Sequence, residues 1–154
     1  LADLQRERPA GVETEVFAFG RLPLAYSARC YTARSENLPK DDCRYKCIDY
    51  PDGRLLKTRE GKSFLVLNGI QTQSAPTHVA LEHFAELDAL HVDVLRISPQ
   101  AEHTMDVLAL FDAVRQGSDP AALGHELLKL LPGEACNGYL VAAAGMDHEH
   151  PHAA

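Results

Sequence analysis

A chain of 154 residues, 45% hydrophobic and with a formal net charge of −7, is long enough to bury one core, too apolar to be a disordered segment and too acidic overall to favour a nucleic acid as partner. It has no apolar run of bilayer length and no charged-then-apolar leader, so the expectation is a cytoplasmic protein whose partners are small molecules or other proteins. Its four cysteines point to metal chemistry rather than disulfides, because reducing compartments keep thiols free.

Residues 1–8 (LADLQRER) have helical composition and are stopped by Pro9-Ala10-Gly11; with Leu at position 1 they read as the end of a helix already under way, and the chain as a fragment. Residues 12–19 (VETEVFAF) mix alternation with β-branched and aromatic residues, which predicts a strand ended by Gly20. The next segment, polar in its second half and carrying Pro23 and Pro39, is expected to be irregular and fixed by what its sulfurs bind. Residues 54–58 and 63–68 flank Glu60-Gly61-Lys62 as the arms of a hairpin, and Gly69 closes the second arm.

Val79, Leu81, Phe84, Leu87 and Leu90 recur at near-helical spacing, which predicts a helix over 76–90 with Pro76 in its first turn. Residues 92–98 (VDVLRIS) read as a buried strand. Residues 104–116 read as a helix with Val107, Leu108, Phe111 and Val114 on one side and Gly117 as its stop. A last helix over 120–131 is opened by Asp119-Pro120 and closed by Pro132-Gly133. Residues 134–154 fit no pattern, and 147–154 are expected to be a flexible tail.

This order implies an α/β structure with parallel strands covered by crossover helices. Three such strands leave open edges, and a complete eight-stranded TIM-type (β/α) barrel needs about 250 residues. Residues 1–146 are therefore expected to be the C-terminal part of one such barrel domain, the missing strands lying before Leu1. Function in a barrel gathers at the C-terminal ends of the strands. That rule collects three loops: 20–47, 68–73 (NGIQTQ) and 98–100 (SPQ). The last two, rich in amides and hydroxyls, suit either orienting a neutral or carboxylate-bearing ligand or simply capping strand ends.

Cys30, Cys43 and Cys47 stand C-x12-C-x3-C in the first of these loops. Three soft sulfur donors that close suggest zinc or an iron–sulfur cluster, and their spacing does not separate the two. No fourth ligand is obvious. Cys136, far along the chain in PGEACNGY, either completes the set or packs in the interior, and its distance in sequence favours packing. His148, His150 and His152 resemble a metal-binding tract but are more simply a solvated tail, while His78, His83, His91, His103 and His125 share no ligand spacing. There is no phosphate loop, nucleophile elbow or HExxH.

Glu15-x-Phe17-x-x-Gly20 followed by Tyr26-Ser27-Ala28-Arg29-Cys30 resembles the signature of the collagenase-like peptidase family, whose members are barrel proteins. The likeness extends through KDDCRYKC, Tyr50-Pro51-Asp52-Gly53, Leu67-Asn68-Gly69-Ile70-Gln71-Thr72 and Cys136-Asn137-Gly138-Tyr139 to Ala144-Gly145-Met146. These stretches are similar to the branch of the family that serves oxygen-independent ubiquinone biosynthesis. Pro23, where many relatives have cysteine, and Ala28, where glycine is common, also point to that branch rather than to a peptidase.

The resemblance implies a [4Fe–4S] cluster held by Cys30, Cys43 and Cys47 with a fourth cysteine from a segment upstream of this chain, and no ligand role for Cys136. It further implies a heterodimer with a UbiU-like partner that hydroxylates the aromatic ring of a quinone precursor without O2, with prephenate as oxygen source. No catalytic residues carry over, and proteolysis is not expected. The alternatives are a peptidase-type hydrolase, a prephenate-dependent RNA hydroxylase of the same family, and a non-enzymatic interaction domain built on structural zinc.

Overall fold

A computed structural model describes residues 1–149; the side chain of Lys40 is not described. The chain forms two compact units. One comprises, among the described residues, Leu1–Gly20, His78–Leu131 and 135–149; the other comprises Arg21–Thr77 and Pro132–Glu134.

The first unit begins with α1 (Ala2–Glu7) and the first half of β1 (Glu15–Tyr26). Gln5 ties α1 down by donating to the carbonyls of Leu90 and His91, both at 2.8 Å. It takes the end of β4 (Gln71–Val79), then a 3-10 turn Leu81–His83, α3 (Phe84–Ala89), β5 (Val94–Ile97), α4 (Thr104–Arg115) and α5 (Pro120–Leu128). β1 and β5 pair in parallel, Glu15 opposite Val94 and Phe19 opposite Ile97, with a bulge between Phe17 and Phe19. Parallel neighbours require a crossover, and α3 supplies a helical part of the returning chain. The core is Ala18, Phe19, Val79, Leu81, Leu87, Val107, Phe111, Val114 and Leu127, with Phe19 meeting Phe111 edge-on at 6.3 Å. Burying these side chains contributes about 1.5–3 kcal/mol for each large one.

The second unit contains the remainder of β1, α2 (Tyr31–Ser35), β2 (Arg54–Lys57), β3 (Ser63–Asn68) and most of β4. The order is β2-β3-β4-β1, and β2, β3 and β4 are antiparallel. Its buried hydrophobic residues are few and small: Ala33, Val66 and Ala75. Larger ones lie at the surface, including Tyr26, Tyr45 and Ile48, each more than 70% exposed.

The architecture is thus mixed α/β, with the parallel pair β1–β5 beside the antiparallel β2, β3 and β4, rather than parallel throughout. The hairpin, the strand within 92–98 and the helix at 104–116 lie where the sequence places them, but the strand is not the buried one expected, since β5 has no buried residue, and Leu108 is exposed while Val107, Phe111 and Val114 of α4 are buried. The strand expected over 12–19 starts at Glu15 and runs past Gly20 to Tyr26. Gly20 does not end it because it serves close packing: a Cβ there would lie 2.5 Å from Cβ of Ser98, and its φ is +122°.

The helix expected over 76–90 is confined to Phe84–Ala89, and residues 71–79 form β4 instead, so the expected 68–73 loop is only a tight turn at Gly69-Ile70. The hydroxyl of Ser74 receives Leu22 N–H of β1 at 2.9 Å and donates to Pro76 O at 2.7 Å, so one side chain ties β4 to β1 beside the proline. The last helix ends at Leu128, three residues early. The patternless 134–149 stretch holds β6 (Ala135–Cys136), which pairs with β4, and a 3-10 turn Gly138–Val141. Asn137 closes that turn: its side chain exchanges hydrogen bonds with Glu149, 2.6 Å to O and 2.8 Å from N. No helix among the described residues is long and apolar enough to cross a membrane.

Candidate functional site

All three cysteines of the C-x12-C-x3-C segment lie in the second unit, between β1 and β2. The entry to the segment is laced to the β3–β4 turn: Ser27 N donates to Ile70 O at 2.8 Å and Tyr31 N to Gly69 O at 2.7 Å. Cys30 is half-buried and caps α2, its Sγ accepting from Ala33 N at 3.4 Å. A sulfur so placed satisfies one of the orphan amides of the helix start.

The remainder is a series of tight turns rather than wholly irregular backbone. Cys43 follows the 3-10 turn Lys40–Asp42, and Cys47 lies inside the 3-10 turn Lys46–Asp49. Between them Arg44 and Tyr45 both adopt left-handed backbone, φ +53° and +50°, which side-chain-bearing residues disfavour. Two consecutive residues of this kind persist only where surrounding contacts over-determine them. Cys43 is half-buried and Cys47 exposed.

A polar brace holds this segment against β2. Arg54 donates to Glu36 Oε1 at 2.7 Å and to the Ser35 hydroxyl, and its guanidinium lies 4.6 Å over the Tyr50 ring. Tyr50 also donates to Glu36, at 3.2 Å. Beside it Gly53 has φ +78°, and a Cβ there would reach Val66 Cγ1 at 2.5 Å.

All four cysteines are free thiols. By chemistry and accessibility the three in the segment suit a soft metal or cluster. By position they do not yet form a closed set: among the described residues no three His, Cys, Asp or Glu side chains stand close enough to hold a metal ion. Cys136 lies in the other unit, fully buried, where burial pushes its thiol up to about 11 and keeps it protonated.

Of the other expected loops, 98–100 serves structure. Ser98 N donates to Phe19 O at 2.8 Å, and Gln100 Nε2 donates to Leu130 O at 2.7 Å. At the start of β4 the amides form a chain, Gln73 Nε2 to Gln71 Oε1 at 2.7 Å and Gln71 Nε2 to the Tyr26 hydroxyl at 2.9 Å. His83 is buried, facing Asn137 Nδ2 and Glu86, each at 3.3 Å, and burial lowers the pKa of His78. His148 is half-buried, and His150 and His152 lie outside the described residues.

A feature absent from the cysteine pattern is a surface cavity of about 660 Å³ beside α2, lined by Arg29, Cys30, Ala33, Arg34, Asn37, Leu38 and Pro39. Positions 30, 33, 34 and 37 stand at helical spacing in the sequence, although only 33 and 34 lie within α2, Cys30 being its N-cap and Asn37 adopting left-handed backbone past its end.

No solved structure matches this chain. The chain does match the family described as peptidase family U32 over residues 1–148, which includes the cysteine segment and the Cys136-Asn137-Gly138-Tyr139 stretch. With nearly all of its length covered, the chain belongs to peptidase family U32.

Proposed function

We propose that this chain is part of the iron–sulfur subunit of an oxygen-independent hydroxylase acting on the aromatic ring of a ubiquinone precursor, a UbiV-like protein working with a UbiU-like partner in the cytoplasm. In this reading Cys30, Cys43 and Cys47 hold a [4Fe–4S] cluster together with a fourth ligand that is not Cys136. The cluster would supply one-electron chemistry. The parallel β1–β5 pair with its helices is read as part of a (β/α) barrel.

The observation that carries this reading is the poverty of core in the very unit that holds the three thiols. Small units that bury few large side chains depend on a disulfide, a metal or a partner for stability. Here the cysteines are free, and among the described residues of this unit only Ala33, Val66 and Ala75 are buried hydrophobics. Cluster binding would then be coupled to closure of the strained turns at Arg44 and Tyr45, as metal binding and folding are coupled in small metal domains.

Anaerobic reconstitution of the full-length protein, followed by iron and acid-labile sulfide analysis, tests it. About four irons and four sulfides per protein are expected from the [4Fe–4S] assignment, with loss of both on changing any of Cys30, Cys43 or Cys47 to Ser and no loss on changing Cys136. Stoichiometric zinc without sulfide would replace this reading with the structural-zinc one.

A further inference from the structure

Two imidazoles of the first unit are buried, away from the three thiols of the second: His78 at 5% exposure and His83 at 3%. His83 closes the 3-10 turn Leu81–His83. Its Nδ1 lies 3.3 Å from Glu86 Oε2 of α3, its Nε2 lies 3.3 Å from Nδ2 of Asn137, and it interacts electrostatically with His78 of β4. Asn137 is buried as deeply, at 2% exposure.

The Asn137 amide is held one way round. Its Oδ1 accepts from Glu149 N at 2.8 Å and its Nδ2 donates to Glu149 O at 2.6 Å. Reversing the amide would set oxygen against oxygen and N–H against N–H. With one Nδ2 hydrogen on Glu149 O, the other is left for His83 Nε2, which must accept it. The imidazole in this fold is therefore neutral, with its proton on Nδ1 toward the Glu86 carboxylate.

A second proton would have to sit on Nε2, donor against donor, in a site where neither group can turn to water. The charges around the ring do not offset that conflict. Glu86 stands on the Nδ1 side and its side chain is 68% exposed, so solvent screens it. On the other side His78 is held below its ordinary value by burial, with His83 adding to the effect against a hydrogen bond to the Phe17 backbone. Glu82 lies against α5, where a Cβ on Gly124 would come within 2.3 Å of its Oε1. Also on α5, Lys129 and Glu126 pair with each other at the surface and His125 is exposed on the Ala121 carbonyl. Asp147 and Glu149 are exposed. The segment's other bonds join its own backbone groups, Leu140 N to Asn137 O and Ala143 N to Gly138 O at 2.8 Å and Asp147 N to Ala144 O at 2.9 Å, so it would leave as one piece.

We propose that His83, Asn137 and Glu149 form a proton-operated latch: neutral His83 holds residues 137–149 on the first unit, and protonation at Nε2 releases them. The latch is independent of what the cysteines bind.

The test is amide hydrogen exchange on the full-length protein at pH 8 and pH 5, the range in which imidazoles titrate, each rate divided by that of an unstructured chain at the same pH. In the wild type, protection over residues 137–149 is expected to fall about tenfold or more on acidification, the scale of two hydrogen bonds lost, while α4 keeps its protection. His83→Gln, whose amide oxygen can accept from Asn137 without titrating, is expected to hold the segment equally at both pH values. Asn137→Asp should reverse the sign, because its carboxylate repels the neutral ring and accepts from the protonated one: protection is lower than wild type at pH 8 and rises at pH 5.

Equal wild-type protection at the two pH values would overturn the proposal, as would an equal loss over α4, which would mark general acid unfolding. A His83→Gln protein that loses protection on acidification as the wild type does would overturn it as well. If His83→Gln does not fold, the sign of the change in Asn137→Asp decides, and a fall there on acidification would refute the latch.

Discussion

Gly138 stands where no side chain fits. A Cβ there would lie 1.8 Å from the Ala144 carbonyl oxygen, in a turn where Asn137 N and Gly138 N both donate to Asp147 O, at 2.8 and 2.9 Å. The clash is with backbone, which cannot swing aside as a long side chain can. Gly138→Ala is expected to destabilise the protein by about 2 kcal/mol, the usual scale of overpacking, read as a shift of the urea midpoint. Asp93 makes a different kind of contribution. Its carboxylate is held at about 2, below the ordinary 3.8, by hydrogen bonds from Arg8 and then from Thr14 N at 2.8 Å. A depressed carboxylate stabilises the fold fully above its unfolded value, and that stabilisation fades as pH falls from about 3.8 to about 2. Asp93→Asn is therefore expected to be less stable than wild type at pH 6 and to lose less on acidification to pH 2. Denaturation midpoints at the two pH values check this, and parallel acid limbs would refute it.

The Arg54–Glu36–Tyr50 brace is a property of elements rather than of one side chain, because it fixes where α2 and the 3-10 turns lie against β2. The Arg54–Glu36 pair is about one-third exposed, so its own worth is at most about 1 kcal/mol. Its leverage lies in positioning. Arg54→Gln is expected to leave the far-ultraviolet circular dichroism unchanged and to reduce iron uptake on reconstitution by more than half; full iron uptake would show that the brace plays no part in closing the cysteine segment. The same scale explains what the sequence could and could not announce. The β2–β3 hairpin and α4 are built on local signals, a Gly-centred turn and an apolar stripe, and both were readable. β4 was not, because QTQSAPTHV is polar and interrupted by proline. Its strand character comes from β3 and β1 on either side and from Ser74 bridging Leu22 and Pro76. A helical spacing from Val79 onward was real, yet Val79, Leu81 and Leu87 serve the core from three different kinds of backbone.

Across the whole molecule, net charge proved a poor guide because it averages two unlike units, a formal +3 in the cysteine-bearing unit and −10 in the other. The cysteine spacing picked out the segment between β1 and β2 but gave no hint that, among the described residues, no three ligand side chains would stand close enough to hold a metal ion. The burial of Cys136 turns that stretch into something that can be counted. Its thiol is protonated and out of reach in the native fold, whereas Cys30, Cys43 and Cys47 are half-buried or exposed. Alkylation of the native chain with iodoacetamide should add mass at those three cysteines and leave the fourth unmodified until denaturant is present. On anaerobic loading the three should become protected together, so a mass spectrum of the intact chain would report cofactor occupancy without any measurement of activity or colour. Rapid native labelling of Cys136 would contradict this.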